Sequence, residues 1–173
     1  NRTISTTINY STTPLRRASS QSLVNITGIW QNFATTWTGS NGAGAIRIYK
    51  NGIETSAYTN PQNAVGTIST DNLAFWGIGN NTATDRSFDG QIAHVHLYNR
   101  VLNINEIKQV MRIPASVSRG LIGYWPLDGT SSPEEDLSGN NGTGVVTGST
   151  FSSFNAPISG IFKVPTPQLS GVC

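Results

Sequence analysis

Ala45-Ile46-Arg47-Ile48-Tyr49-Lys50-Asn51-Gly52-Ile53-Glu54-Thr55 decides the fold class. Ile46 and Ile48 fall on one side of an extended chain, and Arg47 and Tyr49 on the other. The alternation runs into Asn51-Gly52, the strongest short-range signal for a two-residue hairpin. Both central residues of a type I′ turn need positive φ, which Asn and Gly tolerate best. The return strand is expected over Ile53 to Tyr58.

The same texture extends in both directions. Thr3 to Tyr10 is rich in β-branched residues, and the polar stretch Ser11 to Ser22 reads as a loop. Trp30 to Thr38 carries Trp30, Phe33 and Trp37. Beyond the turn-rich segment Asn60 to Asn63, Leu73 to Ile78 reads as a strand. Asp85 to Gly90 leads into Gln91 to Tyr98, with Ala93, Val95 and Leu97 on one side and His94, His96 and Tyr98 on the other.

The period then changes. Asn103-Ile104-Asn105-Glu106 has the spacing of a capping box, and Ile104, Ile107, Val110 and Met111 follow at helical intervals. One short helix is expected near residues 103–112, ending before Pro114. Strand character returns at Leu121 to Pro126. A glycine-rich loop covers Asp136 to Gly148, and Phe162 to Pro165 is a last strand or a tail. Many short strands with turn signals between them, plus one helix, point to an all-β, two-sheet antiparallel sandwich of jelly-roll type.

Composition narrows the function. The 173 residues suit one ordinary domain, and only 12% are charged, about half the usual share. Ser, Thr, Asn and Gly carry the solubility, as in exported all-β proteins. The net charge is +2 and the basic residues are scattered, with only Arg16-Arg17 adjacent. That argues against a nucleic-acid partner, which calls for a clustered basic face. No apolar run approaches the roughly 18 residues of a membrane span, so no membrane insertion is expected. Cys173 is the single cysteine, so an internal disulfide is ruled out. The first residue is Asn1 in a strand-like run, and the chain reads as processed or excised from something longer.

Three stretches together resemble the laminin-G-like, concanavalin A-like jelly-roll domains found in bacterial and phage surface proteins. The first runs from Trp30 to Asn51-Gly52. The second runs from Phe88-Asp89-Gly90-Gln91-Ile92 through Leu97-Tyr98-Asn99-Arg100-Val101-Leu102 to Asn105-Glu106-Ile107, and is similar to the family's final strand and closing helical turn. The third, Gly120-Leu121-Ile122-Gly123-Tyr124-Trp125-Pro126-Leu127-Asp128 with Asp136-Leu137-Ser138-Gly139-Asn140, resembles its opening strand and first loop. The opening motif thus follows the closing one. Residues 1–115 are expected to form the main sandwich. Residues 119–173 either close that same sandwich or begin a second unit, and strand completion by a neighbouring subunit is a third route.

Some relatives with this jelly roll are glycosidases, which need two carboxylates about 5–9 Å apart. None of the nine acids has an i, i+2 or i, i+4 partner within an expected strand, and no serine sits in a Gly-x-Ser-x-Gly elbow. Catalysis is therefore not expected. His94 and His96 could chelate a metal with a third ligand, although the plainer reading is two imidazoles on an outer sheet face. Asp136, Ser138 and Asn140 offer oxygen donors in a tight turn that suits a hard cation. The resemblance implies structural Ca2+ near such a loop in some members, whereas Asx hydrogen bonds alone are the plainer explanation. For sugar binding, Trp37, Tyr58, Trp76 and Tyr98 are aromatic candidates. Tyr49 and Tyr98 alternate away from the apolar face and are the ones expected to be exposed, with His94 and His96 beside Tyr98. The resemblance implies a non-catalytic extracellular or virion-surface module for adhesion or carbohydrate recognition. The rival is a structural capsid-decoration or fibre part, whose partners are neighbouring protein subunits or copies of itself.

Overall fold

The computed structural model describes residues 3–20, 28–70, 77–80, 88–127 and 132–148. Most of the expected strand Leu73 to Ile78, half of Asp85 to Gly90, and all of Trp76, the Phe162 to Pro165 segment and Cys173 lie outside these residues. Among the described residues the strands run in the order β1 (Ser5–Ile8), β2 (Leu15–Ser19), β3 (Phe33–Trp37), β4 (Ile46–Lys50), β5 (Ile53–Glu54), β6 (Tyr58–Gln62), β7 (Val95–Tyr98) and β8 (Leu121–Trp125). A 3-10 turn, Ala43–Ala45, leads into β4, and the helix α1 (Ile104–Arg112) separates β7 from β8.

All pairings between these strands are antiparallel. They form sheets in the order β1-β2-β6, β3-β4-β5 and β7-β8. The first two sheets stack through β2 and β4, whose inward residues Leu15, Ile46 and Ile48 are completely buried. Ile4, Ile8, Phe33, Trp37 and Tyr58 close around them. Each such aliphatic side chain contributes roughly 1.5–3 kcal/mol by leaving water. The architecture is the antiparallel β-sandwich that the alternation predicts.

The hairpin between β4 and β5 forms where the sequence places it. Asn51 and Gly52 have φ of 50° and 70°, as a type I′ turn requires. A Cβ at Gly52 would sit 2.7 Å from Cγ of Lys108, so that lysine side chain would have to shift to admit one. The helix starts as read. The Asn103 side chain accepts from the N–H groups of Asn105 and Glu106, and the Glu106 carboxylate accepts from Asn103 N–H at 2.8 Å.

Three expectations about the strands are corrected. Leu15–Ser19 falls in the expected loop, yet it is the central strand of its sheet. Its register shifts between Arg16 and Ala18, so Leu15, Ala18 and Ser19 all turn inward and the period of two is hidden. Arg17 is accommodated by lying 3.4 Å over the Tyr58 ring and donating to Ile46 O. The return strand stops at Glu54, and β6 occupies the turn-rich segment that includes Asn60. Finally, Gln91 to His94 is not strand, because His94 has a φ of 54° in the left-handed region.

Candidate functional site

The residues singled out by sequence separate into three places. Tyr49 belongs to none of the exposed ones. It is 7% exposed and packs with Leu102, Ile107 and Val117 beneath α1. Alternation correctly puts it opposite Ile46 and Ile48, but that opposite face is covered by the helix. The expected exposure of Tyr49 is therefore corrected, and it is core.

His94, His96 and Tyr98 do come together, at the seam between β7 and β8. The organising residue is Tyr124 of β8, which sequence reasoning left unassigned. It pairs directly with His96 across the ladder. The two rings stack 4.3 Å apart and within 7° of parallel. Tyr98 also neighbours His96, at 6.4 Å between ring centroids. Nδ1 of His94 and the Tyr124 hydroxyl are 3.1 Å apart, and His94 N–H donates to Pro126 O at 2.8 Å. These bonds hold His94 in its left-handed conformation, a region that His visits more often than most residues. Tyr98, also expected to be exposed, is half-buried, and its hydroxyl donates to Val117 O.

His96 has a distinctive chemical state. Nδ1 lies 2.8 Å from His94 O, and a carbonyl can only accept, so Nδ1 carries the proton. Nε2 is then a bare lone pair, buried without a hydrogen-bond partner. Burial, followed by the charge on neighbouring His94, lowers the imidazole pKa to about 4, against the opposing pull of the His94 carbonyl. The ring is neutral at physiological pH. No group of three His, Cys, Asp or Glu side chains able to hold a metal occurs among the described residues.

The third place is a loop that clips β8. Asp136 is 6% exposed. Its Oδ1 accepts from the N–H groups of Tyr124 and Ser138, both at 2.9 Å, and its Oδ2 accepts from Gly142 N–H at 3.0 Å. Burial works to raise the pKa of this carboxyl, but the N–H donors together hold it below its ordinary value. Ser138 Oγ accepts from Asn140 N–H, and Asn140 Nδ2 donates to Ser138 Oγ and Ile122 O. Trp125 Nε1 donates to Gly142 O at 2.7 Å.

The calcium ion that the family resemblance implies takes six to eight oxygen ligands; in this loop the Asp136 carboxylate accepts from three backbone N–H groups, and Ser138 and Asn140 bond to each other. The Asx hydrogen-bonded turn is what the geometry supports.

Glu134 is the residue that sequence reasoning missed. It is 5% exposed and accepts from Leu127 N–H. Glu134 and Asp136 are thus an i, i+2 pair of buried acids, lying outside any strand. Each is turned onto a backbone amide of the β8 segment. Elsewhere, Glu106 takes a two-pronged bond from Arg100 at 2.7 and 2.9 Å. That bond, then the Asn103 amide, lowers its pKa to about 2. Glu54 accepts from Arg47 and from the Tyr58 hydroxyl.

Residues 1–108 are matched by a family model described as the concanavalin A-like lectin/glucanases superfamily, of laminin-G type. The match covers more than half of the 173 residues. The chain belongs to this superfamily. No curated protein and no solved structure matches the chain at a significant level. Superfamily membership accounts for β1 to β7 and the first half of α1, while β8 and its clip lie beyond the matched residues. No helix among the described residues is long and apolar enough to cross a membrane.

Proposed function

We propose that the chain is a non-catalytic module for adhesion or carbohydrate recognition, displayed outside the cell or on a virion surface. Membership of the concanavalin A-like superfamily carries this reading. The engagement of four of the six acids among the described residues supports it. A glycosidase needs one carboxyl free to give up a proton and a second free to attack or to activate water. Glu54, Glu106, Glu134 and Asp136 all act instead as acceptors within the fold.

The test is a glycan array probed with the labelled chain, paired with incubation on a panel of polysaccharides. Saturable binding to one saccharide class, with no release of reducing ends, is the expected result. Release of reducing ends at a rate dependent on Glu134 or Asp136 would overturn the non-catalytic reading. A second reading, a structural virion or assembly component whose partners are protein subunits, is favoured by one observation. The strand completing β7 comes from outside the family match. Regular multimers in light scattering, together with a blank array, would favour that reading over glycan recognition.

A further inference from the structure

The β7–β8 seam has an unusual construction. β8 is held in shape by bonds made within its own stretch of chain. Asp136 accepts from Tyr124 and Gly142, Glu134 accepts from Leu127, Trp125 donates to Gly142 O, and Asn140 donates to Ile122 O. Contact with the rest of the sandwich is a separate set. It comprises the β7 ladder, the Tyr124 stack on His96 with its hydroxyl beside His94 Nδ1, His94 N–H to Pro126 O, Val117 packed against Tyr49, Leu102 and Ile107, Tyr98 to Val117 O, Arg100 to Arg119 O and Asn99 N–H to Gly120 O. Nothing in that second set requires β8 to belong to the same chain as β7.

Between α1 and Val117 lie only Ile113 to Ser116. They form a tight turn closed by Ser116 N–H donating to Ile113 O. Ala115 sits in this turn with φ of 62°, a conformation that disfavours a residue with a Cβ. Its side chain is exposed. Straightening the turn relieves that strain and swings β8 away from its own β7. Short hinges under strain invite exchange of the element beyond them.

We propose that β8 with its clip is an exchangeable strand, and that the edge of β7 accepts it from a second copy of this chain to give a reciprocal, two-fold dimer. The inference needs only the seam geometry and is independent of glycan recognition. The partner is fixed by the seam itself: the Tyr124 ring on His96 and the ladder over Leu121–Trp125 are reproduced in full by an identical strand and by no generic extended peptide.

Ala115→Gly and Ala115→Val test it without touching the core. Glycine removes the strain of the closed turn, whereas a β-branched residue increases it. The full chain is unfolded, refolded at high concentration in reductant to keep Cys173 reduced, and sized by light scattering. The dimer fraction is expected to rise from the Gly variant through wild type to the Val variant. The dimerisation constant should differ about tenfold or more between the extremes, because two hinges open per dimer. Co-refolding tagged and untagged chains should yield mixed dimers that persist for hours after dilution, since leaving requires β8 to peel away. Equal monomer in all three proteins, or a dimer that falls apart at once on dilution, would overturn the proposal. A blank glycan array would leave it standing.

Discussion

The centre of the sandwich and the β7–β8 seam use opposite means to hold strands together. Between β2 and β4 the contact is aliphatic and dry, built on Leu15, Ile46 and Ile48 with no exposed surface. At the seam it is polar: a histidine with an unpartnered buried nitrogen, a tyrosine stacked on it, and two buried carboxylates bonded to backbone amides. Apolar packing is indifferent to pH and depends on shape. A seam of buried polar groups is stable only while each keeps its protonation state and partner. The two regions should therefore fail under different insults.

Truncating the dry region gives the largest effect. Ile48→Ala should cost about 4 kcal/mol in chemical denaturation, since it empties a fully buried site between two sheets. The loss should be the same at pH 7 and pH 5. Asp136→Ala should cost about 3 kcal/mol, because it strips the acceptor from three amide N–H groups at the seam. If this variant instead matches wild type in denaturant, the clip does not hold β8.

Acid sharpens the contrast. His96 has a folded pKa of about 4, below its ordinary value of 6.5. The unfolded chain therefore binds the extra proton first as pH falls, and stability drops from about pH 6.5 down to about pH 4. The loss should reach about 2 kcal/mol, less than the full shift converts to, because the ring keeps some solvent contact. His96→Gln should flatten this part of the profile. Glu106 and Asp136 are both depressed, so their contributions are present at higher pH and are lost at still lower pH, as each carboxyl is protonated. A smaller effect is expected at the helix, where Asn103→Ala should cost about 1 kcal/mol in the same assay. Smallest of all is chelation. EDTA should leave the melting temperature unchanged, and a fall of several degrees would restore a cation to the Asp136 loop.

How far the sequence could be read follows from the range of each interaction. The Asn51-Gly52 hairpin and the Asn103–Glu106 cap depend on neighbouring residues, and both were legible. β2 was hidden because the bulge at Arg16–Ala18 breaks the alternation and two arginines mask a central strand. Tyr49 shows that a period of two distinguishes the faces of a strand but not whether the second face is covered; α1 lies 50 residues or more downstream and covers it. At the candidate site, the His-x-His spacing correctly marked two neighbouring imidazoles. Their shared partner Tyr124, some 30 residues away, left no local trace. The Asp136 turn was legible from its Asx and Gly residues, while Glu134 sits in a polar loop with no strand pattern and carried no local signal.

Amide hydrogen exchange at pH 7 and pH 4.5 tests the division most directly. The account predicts that β2 and β4 amides keep their protection at both values, while those of Val95–Tyr98 and Leu121–Trp125 lose theirs selectively in acid. Equal loss in both regions, or a seam that stays protected at pH 4.5, would contradict it.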